Sequence, residues 1–243
     1  IDFEYRLNTS HGADYFRRWH SRKEYSGGLL LHKSTHHFDL INWMLDAIPA
    51  RVFAFGDLVF YGKWNALARG QQGLTAYPRY TGSAGAKADP FSLHLDQDPT
   101  LKALYLDAEP DNGYIRDQNV FRDDIDIEDS MSVLIKYRTG EMVTYSLNAF
   151  CPNEGYRVSI TGDAGRIEYT EDHASHIMTG DKDIKSEGEH VMRGTVQRLF
   201  QAPEEFTVPA VPGNHCGSDT LLQEQMFSAQ PPPDLLHRNA GHE

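Results

Sequence analysis

Between Gly27 and Leu45 the chain runs Gly-Gly-Leu-Leu-Leu-His-Lys-Ser-Thr-His-His-Phe-Asp-Leu-Ile-Asn-Trp-Met-Leu. On a helix turning about 100° per residue, His32, His36, Asp39 and Trp43 fall at i, i+4, i+7 and i+11 and share one face. Leu31, Phe38, Ile41 and Leu45 fall roughly opposite and supply a core stripe. An imidazole titrates near neutral pH, so two of them beside a carboxylate suit proton transfer to or from a hydroxyl group. Two other readings of the spacing stay open. One is a polar helix face whose histidines cap the core. The other is a metal pair, since His at i and i+4 is zincin spacing, although Lys33 stands where the Glu of H-E-x-x-H would be and its charge opposes a cation. Lys33 itself falls off the His32–Asp39 face and is carried as a substrate contact.

These residues need a scaffold, and the chain supplies strand and helix patterns around them. Ile1, Phe3, Tyr5 and Leu7 alternate with Asp2, Glu4 and Arg6, the mark of a half-buried strand. One helix is expected over about 29–46 and a strand over 50–62. Met131 to Tyr169 reads as two consecutive hairpins with turns at Thr139-Gly140 and Gly162-Asp163-Ala164-Gly165, hence an antiparallel meander. A further strand near 190–200 and a helix over 218–229, with Ser218 as a possible N-cap, complete the pattern. Residues 63–117 are rich in Gly, Pro, Asp and Ala with weak periodicity, and read as an irregular insertion with short helical pieces. The class is α+β: a largely antiparallel open sheet with helices on one face, in a single unit spanning 1–243.

Composition narrows the function. The formal net charge of −12 argues against nucleic acid, whose phosphates need a basic footprint. No run approaches the ~18 apolar residues of a membrane helix. Two cysteines, Cys151 and Cys216, read as free thiols.

The Gly27–Leu45 stretch resembles the C-terminal domain of the Gfo/Idh/MocA (glucose–fructose oxidoreductase / inositol dehydrogenase) family. That family carries a Gly-Gly pair, an acid, and D-x-x-x-H-x-x-D on a helix ending in Trp-Leu. His36 matches its histidine and Asp39 its second aspartate, while His32 replaces the first acid, a departure from the family's Asp–His pairing. Asp129 before a strand-turn-strand, the hairpin Ile160-Thr161-Gly162-Asp163-Ala164-Gly165-Arg166-Ile167-Glu168, and Asn214-His215-Cys216-Gly217-Ser218-Asp219 before a helix are similar to the family in order and spacing.

The resemblance implies the substrate-binding and oligomerisation half of an oxidoreductase that moves a hydride between NAD or NADP and a sugar, polyol or related hydroxy compound. The family's Rossmann domain and its E-K-P lysine are absent from this sequence, so NAD(P) belongs to the complete enzyme and none is expected to bind tightly to this chain alone. His36 is then the candidate proton acceptor or substrate-hydroxyl ligand, with Asp39 and His32 orienting it or binding neighbouring hydroxyls. Lys33, Trp19, His20, His215 and Asp219 are candidate substrate contacts. A cytoplasmic protein that pairs with itself, most simply as a dimer through the open face of the sheet, is the further expectation. The rival is a non-catalytic carbohydrate-binding or regulatory module of the same fold.

Overall fold

The computed structural model describes residues 1–174, 176–177, 186–187, 191–208 and 218–228. Its strands are β1 (Asp2–Asn8), β2 (Pro49–Asp57), β3 (Ser130–Tyr137), β4 (Met142–Cys151), β5 (Glu154–Thr161), β6 (Gly165–Ala174), β7 (His176–Ile177), β8 (Ser186–Glu187), β9 (Val191–Arg198) and β10 (Glu204–Thr207). Eight of these form one open sheet in the order β10-β9-β6-β5-β1-β4-β3-β2, and β7 pairs with β8. All neighbours are antiparallel except β1 and β4, which run parallel.

This corrects one expectation. The β3–β4 and β5–β6 hairpins form as read, but they are not adjacent, because β1 lies between β4 and β5. Phe3 stands opposite both Tyr145 and Val158, and Tyr5 opposite Leu147 and Tyr156. The first strand of the chain therefore becomes the middle of the sheet, and its apolar set Phe3, Tyr5 and Leu7 is buried.

The sheet has two unlike faces. Met131, Val133, Ile135, Tyr137, Val143, Tyr145 and Leu147 point to the covered side and are buried. Their neighbours in sequence point to the other side, where Phe53, Phe55, Leu134 and Met142 are exposed beside Thr144 and Ser146. The covered side carries α1 (Thr9–Arg17), α2 (Lys23–Ser26), α3 (Leu29–His32) and α4 (Thr35–Leu45). The Asn8 side chain caps α1 by accepting from the amides of Ser10 and His11, at 3.0 and 2.8 Å.

The single helix expected over 29–46 is two helices. Ser34 is fully buried, its amide donates to Leu29 O at 2.9 Å, and its hydroxyl accepts from Tyr145 at 2.9 Å. That anchor breaks the helix at Lys33-Ser34 and turns the second segment. Leu31 consequently leaves the core stripe and is 61% exposed, whereas Ile41 is buried and Phe38 and Leu45 pack against the core. The Gly27-Gly28 pair that precedes α3 has φ of 70° and 82°, the left-handed region that favours glycine.

The segment between β2 and β3 holds α5 (Lys63–Ala68), α6 (Pro99–Leu101), α7 (Glu109–Asn112) and several 3-10 turns. It has packing of its own, since Tyr61, Tyr77, Tyr80, Ala86, Leu95 and Phe121 are buried. Buried Asp117 ties it together by accepting from Arg79 and from the Thr81 amide, at 2.5 and 2.7 Å. Buried Asp129 accepts from the amides of Val59, Phe60 and Tyr61 at 2.8–3.0 Å and fixes its entry. α8 (Ser218–Phe227) lies near the end of the chain. Cys151 is a free thiol, and Cys216 lies outside the described residues. Among the described residues no helix is long and apolar enough to cross a membrane.

Candidate functional site

The predicted site residues separate into two groups. His36 and Asp39 lie on the exposed side of α4, three positions apart and therefore neighbours. Trp43 follows one turn later and is also exposed, with Leu40 and Met44 beside it. His32 is not on their helix. It ends α3, and its Nε2 meets the Nε2 of His20 at 2.8 Å. A contact between two ring nitrogens requires one donor and one acceptor.

His20 is buried, and burial followed by the charges of Arg18 and His32 pushes its pKa down to about 4, so the ring stays neutral near pH 7. His32 is also shifted down, by burial first and then by the charges of Arg18, Lys33 and His36. Trp19 stacks on His20 with centroids 3.7 Å apart and planes 24° apart. Its ring lies 6.1 Å from that of His32. The 3-10 turn Trp19–Ser21 and the end of α3 thus meet through His32.

Lys33 stands off the face of His36 and Asp39. Because the helix breaks at Ser34, the side chain turns inward, half-buried, with Nζ 5.7 Å from the centre of the Tyr5 ring. Burial lowers its pKa, against the opposing charge of Glu154. Asp219 is the second residue of α8, and His215 lies outside the described residues.

Sequence reasoning missed the polar groups on the covered face of the sheet. His37, not Leu31, points into the core. Its ring packs on Phe3 at 4.8 Å and edge-on to Tyr5 at 4.4 Å. Nδ1 is 2.9 Å from the Tyr145 hydroxyl. That hydroxyl spends its proton on Ser34, so His37 Nδ1 is the donor. Burial, then the charges of Lys33 and His36, push the His37 pKa down to about 4. The signal was available: position 37 lies one turn before Ile41 and so belongs to the inward stripe.

Next to this aromatic row is an ionic corner. Glu154 opens β5 and accepts from His11 Nδ1 at 2.7 Å, with His173 Nδ1 at 3.9 Å. Burial alone would raise the Glu154 pKa, but the hydrogen bond from His11 and the His173 ring 3.9 Å away hold it at about 2. His173 Nε2 reaches Glu171 at 2.9 Å, and Glu171 also accepts from the hydroxyls of Tyr156 and Tyr169. The carboxylates of Glu154 at 3.9 Å and Glu171 at 2.9 Å raise the His173 pKa to about 9. No linear spacing announces this group, since α1, β5 and β6 each contribute to it. Among the described residues no three His, Cys, Asp or Glu side chains converge as metal ligands would.

The sequence profile described as "Oxidoreductase family, C-terminal alpha/beta domain" matches residues 1–230. Over 246 aligned residues the chain is 35% identical to YteT of Bacillus subtilis (strain 168), a protein classed as an oxidoreductase; the match covers 96% of this chain and 54% of that one. Solved structures similar to it include an aldose-aldose oxidoreductase from Caulobacter crescentus complexed with glycerol, at 12% identity and a TM-score of 0.46 over 96% of this chain and 46% of that one. Another is KijD10, a 3-ketoreductase from Actinomadura kijaniata in complex with NADP, at 12% identity and a TM-score of 0.45 over 96% and 47%. The chain spans about half the length of these relatives.

Proposed function

This chain belongs to the Gfo/Idh/MocA oxidoreductase family through its C-terminal alpha/beta domain, and on that premise we propose that it presents a sugar, polyol or related hydroxy compound for oxidation or reduction with NAD or NADP. The observation that carries the reading is the placement of His36 and Asp39 on the open side of α4, with His36 near enough to His32 for its charge to act on that ring. That face joins hydrogen-bonding side chains to a partly exposed apolar shelf of Leu40, Trp43 and Met44. A flat heteroaromatic ring with one polar edge, such as a nicotinamide, fits a shelf of this kind.

The cofactor, when bound, supplies the hydride acceptor or donor. The chain's own part is to orient the carbinol carbon and move the hydroxyl proton. His36 takes that proton in oxidation and returns it in reduction, Asp39 one turn away orients the substrate beside it, and His32 contacts a neighbouring hydroxyl, whereas Lys33, turned inward over Tyr5, lies off this face. His20, kept neutral by burial, fixes His32 through their shared hydrogen bond. The sequence contains no G-x-G-x-x-G fingerprint, so pyrophosphate binding belongs outside this chain.

Self-association through the open sheet face, in a cytoplasmic enzyme, completes the proposal. Phe53 at 59%, Phe55 at 73% and Met142 at 62% exposure form a larger apolar surface than scattered side chains would leave.

The test is His36→Asn in the full-length protein, assayed by NAD(P)H absorbance against a panel of sugars and polyols. A positioned acid or base contributes about 10²–10⁴ in kcat, and a fall of that order is expected. Full activity in the variant removes His36 from the chemistry. Sugar binding without any turnover by the wild type leaves a carbohydrate-binding module instead.

A further inference from the structure

A cleft of about 290 Å³ opens beside Trp19, between the segment Trp19–Tyr25 and residues 113–124. Its volume is near the lower bound of the roughly 300–1,000 Å³ found for ligand pockets, the scale of one sugar ring rather than of a dinucleotide. Three aromatic side chains, Trp19, Tyr25 and Tyr114, line it. Trp19 is 40% exposed and Tyr25 65% exposed, so both keep free ring surface. The charged side chains on its wall are two cations, Arg22 and Arg122, and two anions, Glu24 and Asp124. The signs balance, which disfavours an anion or a cation and suits a neutral ligand bearing many hydroxyls.

The walls are joined before any ligand arrives. Arg122 donates to Phe16 O at 2.6 Å and to the Ser21 hydroxyl, and its partner Asp124 stands on the same wall. Arg116 reaches from the insertion to Asp14 of α1 at 2.6 Å. Among the described residues Arg22 by contrast has only loose ionic neighbours: Glu24 at 3.6 Å, Asp124 at 3.7 Å and Asp126 at 3.5 Å. A guanidinium held at those separations retains donors, and Glu24 retains acceptors, for hydrogen bonds to adjacent hydroxyls. The aromatic rings offer flat apolar area to the C–H face of a sugar.

We propose that this cleft is a sugar subsite, holding a neutral glycosyl residue linked to the residue presented to His36, so that the substrate class is a glycoside or oligosaccharide. The link between the sites is Trp19, which lines the cleft, stacks on His20 and stands against His32. The inference rests on the oxidoreductase reading for the identity of the neighbouring site alone.

The experiment uses full-length protein and two readouts. Saturation-transfer NMR and calorimetry compare maltose, cellobiose, lactose and gentiobiose with glucose and galactose. At least one disaccharide is expected to bind about tenfold more tightly than its component monosaccharides, equivalent to ~1.4 kcal/mol. That ratio should collapse to threefold or less in Tyr25→Ala and in Gln118→Leu, both on the cleft wall. Tyr25 is largely exposed, so its removal does not threaten the fold. The absence of any disaccharide preference overturns the proposal, as does a preference that survives both variants. An equal loss for mono- and disaccharide also overturns it, because Tyr25 would then act on the primary site. Cofactor turnover is scored separately. Disaccharide preference without turnover keeps the subsite and sinks the oxidoreductase reading, and turnover without preference does the reverse.

Discussion

His37 and His173 both stand against Tyr156 on the covered side of the sheet, at ring-centroid separations of 6.5 and 6.1 Å. His37 is enclosed by Phe3, Tyr5 and Tyr145, with a hydroxyl as its hydrogen-bond partner, and its pKa is pushed down to about 4. His173 has carboxylates on both ring nitrogens and is raised to about 9. Two imidazoles in one layer therefore carry different charges at neutral pH. The difference teaches that depth alone does not set the protonation state here. Burial opposes the charged form at both sites, and at His173 two carboxylates outweigh it.

The largest expected effect comes from exchanging the environments' demands. His37→Lys forces an ammonium into the aromatic row and should cost about 3 kcal/mol or more in denaturant unfolding. His173→Lys keeps a cation between Glu154 and Glu171 and should cost no more than about 1 kcal/mol. Equal costs at the two positions would dissolve the contrast. Next is Glu154→Ala, which strips His11 and His173 of a shared partner. A loss of about 2 kcal/mol is expected, below the usual cost of breaking a fully buried pair because the histidines are partly exposed. The His173 titration midpoint should fall with it, read by NMR.

The pH profile separates the regions without mutation. The His173 pKa is raised from 6.5 to about 9, so its stabilisation is complete below pH 6.5 and is lost as pH rises through 9. The His37 pKa is depressed from 6.5 to about 4, so stability falls as pH drops from 6.5 toward 4, where the unfolded state takes up the proton first. Glu154, lowered to about 2, adds to the acid-side loss as pH falls below 4.5. The assigned imidazole resonances should give a midpoint above 8 for His173 and below 5 for His37; coincident midpoints near 6.5 would refute both assignments. The smallest effect is His37→Leu. The row stays apolar and Tyr145 keeps Ser34, so about 1 kcal/mol is expected, the net worth of one hydrogen bond.

The strand alternations, both hairpins and the grouping of His36 with Asp39 were legible in the sequence, because each depends on the local repeat of a strand or helix. The same periodicity placed Ile41 in the core and Trp43 outside. Other features depended on contacts between distant segments. The insertion of β1 between β4 and β5 rests on pairings more than a hundred residues apart, which no local period encodes. The break at Lys33-Ser34 follows from the hydroxyl of Tyr145, far along the chain, and it moved His32 from α4 to His20 and turned Lys33 inward. The charges of Glu154 and His173 were likewise set in tertiary structure, since a pKa reports neighbours and solvent rather than residue type. What the sequence determined by itself was which residues share a strand or helix face; which faces meet, and which protons are held there, only the packed chain decided.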